Sequence, residues 1–91
     1  MSLCVDMSNY TPVPTSLQVQ CLLRQGYTRA IIGASYGTVA RKQIQACAAG
    51  GMEVEGYAWV AFSNDWRPVV DRAVNACRNT GVKRLWADCE E

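Results

Sequence analysis

The sequence predicts an α/β domain with a parallel sheet, and three observations predict it. Four apolar runs alternate with three helical patterns, each helical pattern closes on glycine (Gly26, Gly50-Gly51, Gly81), and the second run is continuous in its apolar character rather than alternating. Strands separated by helices of about ten to fifteen residues imply right-handed crossovers and parallel pairing. A continuous apolar run is how a strand covered on both faces reads. At 91 residues, 49% hydrophobic and 19% charged, residues 1–91 read as one domain, too short for two and too apolar for disorder. Its core must be modest, since a chain of this size buries only about 60 to 65% of its unfolded surface.

The first strand is expected over about 3–8, Leu3-Cys4-Val5-Asp6-Met7-Ser8, followed by Asn9-Tyr10 and a loop holding Pro12 and Pro14. Thr15 or Ser16 can cap a helix over Leu17 to Gln25, on which either Leu17, Cys21 and Leu22 or Val19 and Leu23 recur at helical spacing. The second strand is expected over about 30–35. Tyr36-Gly37-Thr38 then makes a loop, and a second helix runs from about Val39 to Ala49 with Val39, Ile44, Cys47 and Ala48 as its apolar side. The third strand falls over about 53–60. Asn64 or Asp65 opens a third helix with Pro68 near its start and Val69 or Val70, Ala73, Val74 and Cys77 along its buried face. The fourth strand covers about 84–89.

Several function classes are disfavoured. The net charge of +1 and the scattered Arg and Lys residues, each placed near a helix end or loop, give no basic stripe for nucleic acid. No segment approaches the ~20 apolar residues of a membrane span, and the N-terminus does not read as a leader. The five cysteines include no C-x-x-C pair and the chain has no His, so neither a zinc site nor a Cys-His nucleophile is expected, and no cofactor is implied. Cys21, Cys47 and Cys77 read as small core-facing residues; a disulfide stays open for a secreted parent. Without His, any general acid or base must be a carboxylate or a Tyr.

Polar and aromatic residues gather where strands end: Asp6, Ser8 and Tyr10; Ser35 and Tyr36; Trp59, Ser63 and Asn64; Asp88 and Glu90. The carboxyl ends of parallel strands share one rim, where such folds bind ligands. The last run, Leu85-Trp86-Ala87-Asp88-Cys89-Glu90, delivers two carboxylates at i and i+2, on one face with Cα atoms about 6.6 Å apart. Glycosidic cleavage uses a carboxylate pair at such a separation. A solvated acidic tail reads the same way. Two architectures fit the order: a small flavodoxin-like or Rossmann-like sheet, or half of an eight-stranded barrel. No glycine-rich phosphate turn follows the first strand, which argues against nucleotide binding.

Four blocks carry a resemblance. Val5-Asp6-Met7-Ser8-Asn9-Tyr10 is similar to a D-x-S-x-Y/W-Q strand, and Gly26 to Gly37 to a G-x-x-F-x-I-I-R-A-T-E-G segment. Ala49 to Trp59 is similar to A-G-x-x-x-G-x-Y-H-F, and Leu85 to Glu90 to a catalytic D-x-E strand. Together they resemble the N-terminal half of the family-25 glycoside hydrolases, the lysozyme-like muramidases. The resemblance implies half of a (β/α)8 TIM barrel, with Glu90 as general acid, Asp88 assisting the acetamido group or the developing charge, and Asp6 as the first-strand acid. It implies substrate contacts at Tyr57, Trp59, Ser8 and Tyr10, a peptidoglycan-type glycan as ligand, and a parent that is often secreted or phage-encoded. Like charge from Asp6 and Asp88 is expected to raise the pKa of Glu90. The chain departs from the family at Thr11, Ser35-Tyr36 and Ala58 and carries four of eight strands, so an incomplete catalytic site is expected.

Half a barrel leaves one sheet face bare, carrying alternate residues such as Cys4, Tyr57, Trp59 and Trp86, and two strand edges open. Pairing of two copies as a homodimer covers both. Three functions are therefore expected to compete: a self-assembling half barrel, a muramidase-like hydrolase with Glu90 as acid, and a non-catalytic carbohydrate platform using Tyr57, Trp59, Trp66 and Trp86. Crowded acids in a shared mouth could also attract a cation.

Overall fold

Four strands run parallel and stand side by side in chain order: β1 (Leu3–Met7), β2 (Tyr27–Gly33), β3 (Glu53–Ala61) and β4 (Leu85–Glu90). Helices α1 (Ser16–Arg24), α2 (Thr38–Ala49) and α3 (Arg67–Cys77) connect them, with a short 3-10 turn over Ala34–Tyr36. The computed structural model describes residues 3–8, 10–61 and 65–90, apart from the side chains of Tyr36, Asp88 and Glu90. The expectations for Asn9, Ser63 and Asn64 lie outside the described residues.

Right-handed crossovers that always step in the same direction leave every helix on one face of the sheet. The core agrees. Met7, Ala30 and Ile32 pack with Val19 of α1, Ala40, Ile44 and Cys47 of α2 and Ala76 of α3, while Ala58 and Val60 pack with Ala73 and Ala34. A doubly wound sheet needs a reversal of strand order. None occurs, so the structure sets aside the flavodoxin-like and Rossmann-like alternative and is compatible with half of a closed barrel.

Each helix is punctuated by local chemistry. Thr15 caps α1 reciprocally: its Oγ1 accepts from the Gln18 amide at 3.1 Å and the Gln18 Oε1 accepts from the Thr15 amide at 2.9 Å. The chain then turns at Gly26, whose φ of 93° lies where side chains are disfavoured. That turn delivers the backbone straight into β2, which begins at Tyr27 rather than Ala30 because Leu3 and Cys4 pair with Tyr27 and Arg29. Gly33 ends the strand, and Ala34 and Ser35 belong to the 3-10 turn. At the far side, Arg41 Nη1 donates to the carbonyls of Asn75, Ala76 and Arg78 at 3.3, 3.4 and 2.8 Å, binding α2 to the carbonyl end of α3. Asp65, not a residue inside the helix, receives the Arg67 amide at 3.2 Å.

The helix faces differ in detail from those expected. On α1 the buried stripe is Val19 with half-buried Leu22 and Leu23, whereas Leu17 is 76% exposed and Cys21 is also outside. On α2 Ala40, Gln43, Ile44 and Cys47 are buried and Val39 and Ala48 are exposed; on α3 Ala73 and Ala76 are buried and Val74 is exposed. Small residues take the inner positions because the helices lie close on the sheet. Gly56 shows how close: a methyl there would sit 3.1 Å from Cys77 Sγ and 3.2 Å from Leu85 Cδ1. All five thiols are free, and burial pushes those of Cys47 and Cys77 above the usual thiol range.

Candidate functional site: the open face of the sheet

Residues of opposite parity to the core strands form a second face. Paired positions in a parallel ladder share a side, so Cys4 lies beside Arg29 and Glu53, Asp6 beside Ile31 and Glu55, Gly33 beside Tyr57 and Trp86, and Trp59 beside position 88. The expected bare-face residues Cys4, Tyr57, Trp59 and Trp86 all fall here. Trp59 is 48% and Trp86 53% exposed, while Ala58 and Val60 on either side of Trp59 are sealed against α3.

The amino-terminal half of this face is polar and self-paired. Glu55 is only 5% exposed although it lies on the open side. Its Oε1 accepts from Trp86 Nε1 at 2.7 Å, and its Oε2 lies 3.5 Å from Arg29 Nε. Arg29 Nη2 reaches Glu53 Oε2 at 3.3 Å. The hydrogen bond to Glu53, then the charges of Glu53 and Glu55, hold the guanidinium above its ordinary pKa. A carboxylate out of water requires such partners, and here the two neighbouring strands supply them, Arg29 from β2 and Trp86 from β4. Below the cluster a cleft of about 490 Å³ is lined by Arg29, Glu53, Glu55, Thr80, Lys83 and Arg84. Arg29 is therefore a strand residue, not the loop residue expected.

The carboxyl-terminal half carries the aromatic residues and the D-x-E strand. Tyr57 is half-buried, and Trp59 stands one repeat beyond it. Positions 88 and 90 pair with Trp59 and Ala61, which sets them at the same end; the side chains of Asp88 and Glu90 lie outside the described residues. Asp6 is exposed, but it is level with Glu55, three strands from β4. That separates its backbone from position 88 by about 14 Å across the sheet and about 13 Å along it. Charges in water are largely screened beyond about 10 Å. One chain thus groups Trp59 with positions 88 and 90 but does not bring Asp6 to them.

In the rim loop after β1, Ser8, Tyr10 and Thr11 are joined by hydrogen bonds. The Thr11 amide donates to Ser8 O at 3.0 Å, the Ser8 amide to Thr11 Oγ1 at 3.1 Å, and the Tyr10 amide to Ser8 Oγ at 3.2 Å. Ser8 is half-buried as a turn-former, and Tyr10 is 90% exposed. On the neighbouring turn, the Ser35 carbonyl accepts from Arg72 Nε at 3.4 Å. Sequence reasoning missed Arg29, Glu53, Glu55 and Gln43. For the first three a signal existed: all share the parity of Tyr57 and Trp59 once β2 is taken to begin at Tyr27.

No family model, curated protein or solved structure matches this chain. The likeness to the family-25 barrels accordingly rests on the four sequence blocks.

Proposed function

We propose that the chain is a self-assembling half barrel of glycoside-hydrolase type, which completes an eight-stranded barrel with a second copy and holds no full catalytic site in one chain. The observation that carries this reading is the open face flanked by β1 and β4, each paired on one side alone among the described residues. Two-fold rotation about an axis running along the strands sets β4 of one copy beside β1 of the other in parallel. Eight strands enclose an interior just wide enough for side chains to fill. The large residues of the open face, Tyr57, Trp59 and Trp86, are of the size such an interior takes.

Catalysis on an N-acetylated glycan is the second reading, favoured by the ladder that sets positions 88 and 90 beside the aromatic residues. Closure puts Asp6 of the second copy one strand spacing, about 5 Å, from β4. That removes the separation of Asp6 from position 88 across the sheet and leaves the one along it to the register of the seam. Aromatic faces would hold the sugar, and Glu90 would protonate the leaving oxygen.

Light scattering coupled to size exclusion tests assembly, with a peptidoglycan-clearing assay on the same fraction. A mass of two chains that falls to one in Trp59→Glu supports closure; a monomeric wild type overturns it. Clearing that vanishes in Glu90→Gln, with binding of an N-acetylglucosamine tetramer retained, supports the enzyme. Binding without clearing supports the platform, and neither leaves the half barrel alone.

A further inference from the structure

The ladder between β3 and the chain leading into β4 opens at its amino-terminal end. Gly56 pairs with Leu85, and its amide donates to Arg84 O at 3.0 Å. Backbone amides alternate sides along a strand, so the Val54 amide faces the same way as that of Gly56. The bond that would continue the ladder, from the Val54 amide to the Val82 carbonyl, is not made among the described residues. The chain leaves α3 through Asn79 and Gly81, both at positive φ (60° and 83°), and residues 80–84 face β3 across the cleft of about 490 Å³. That volume is in the range of small-molecule sites.

Three cations and two carboxylates line this cleft. Arg29 alone spans both carboxylates, Glu53 and Glu55. Lys83 and Arg84 are exposed, adjacent in sequence and turned to the same cleft, and neither has an ion-pair partner among the described residues. An ammonium, a guanidinium and an unpaired backbone N–H form a donor set that suits a phosphoryl dianion, through charge-assisted hydrogen bonds. The cleft is larger than a phosphoryl group needs. Met52 and Val54 add apolar lining, and Glu53 uses Oε2 on Arg29, which leaves Oε1 to accept from a hydroxyl. We propose that the cleft binds a small sugar phosphate, with the phosphoryl group on Lys83, Arg84 and the Val54 amide and the hydroxylated ring against Glu53. This site lies at the opposite end of the strands from positions 88 and 90, and it depends on neither barrel closure nor the glycan reading.

Titration of 15N-labelled protein with glucose 6-phosphate at constant ionic strength tests it, read by NMR at the Val54 amide. A saturable shift is expected at Val54 and over 80–84, with Ile31 and Ile32 unmoved. The double variant Lys83→Ala, Arg84→Ala removes two exposed side chains, so its β2 resonances should match wild type while affinity falls at least ten-fold. Glucose should give no shift, and inorganic phosphate should bind at least three-fold more weakly than glucose 6-phosphate. A response that does not saturate, or that sodium chloride reproduces, overturns the site. Full-strength binding in the double variant overturns the role of the two cations, and inorganic phosphate binding as tightly as the sugar phosphate overturns the place given to the ring.

Discussion

The two faces of this sheet are built from the same strands and solve opposite problems. On the helix side Ala30, Ile32, Ala58 and Val60 are small or branched and sealed, so adhesion there comes from apolar burial and close approach. On the open side Arg29, Glu55, Tyr57, Trp59 and Trp86 are large and polar-tipped, and Glu55 is steadied by Arg29 and Trp86. A face that is merely solvated has no need of a buried carboxylate. The contrast teaches that the open side is ordered by polar pairing where the helix side is ordered by apolar burial.

The contrast breaks most readily from the covered side. Ile44→Ala empties a fully buried site shared by α2, β1 and β2 and is expected to cost about 2 to 5 kcal/mol. Thermal unfolding should show a fall in Tm of roughly 10 °C or more. On the open side Trp86→Phe removes the indole donor to Glu55, at a cost of about 1 to 3 kcal/mol by urea titration. Glu55→Leu in the Trp86→Phe background should then cost less than in wild type, because no indole N–H is left without its acceptor. Away from both faces, Thr15→Ala deletes the α1 cap for about 1 kcal/mol, with m unchanged. Without any substitution, the thiols report burial: exposed Cys4, Cys21 and Cys89 should react with a disulfide reagent well before Cys47 and Cys77. Because burial raises the two inner thiols, the native state holds their protons longer than the unfolded chain does. Their contribution is full below the unfolded thiol pKa of about 8.5 and is lost as pH rises above it. Stability rising with pH across that window would contradict the burial.

The alternation of strands and helices was legible because apolar runs and glycine stops are local signals. So was the membership of the open face at Tyr57, Trp59 and Trp86, since a period of two needs no knowledge of neighbours. The start of β2 was not, because Tyr27-Thr28-Arg29 looks like loop until β1 pairs with it. On α1 two stripes competed, and contact with Gly50 and the sheet selected Val19 over Leu17. Glu55 and Gln43 were hidden for a deeper reason. A charge or an amide reads as exposed, and what buries these two comes from Trp86 and from Ser8 and Thr11, more than thirty residues away.

The strand order has a consequence for how the molecule forms. Leu3 meets Tyr27 and Gly56 meets Leu85, separations of 24 and 29 residues, and every strand neighbours the one just made. No closure spans the whole chain, so the loop entropy met at each step is nearly constant. Each βα unit emerging from a ribosome can add to a finished edge and leave a fresh one behind. Among the described residues the edge of β4 is left as open as each earlier edge was before its neighbour joined.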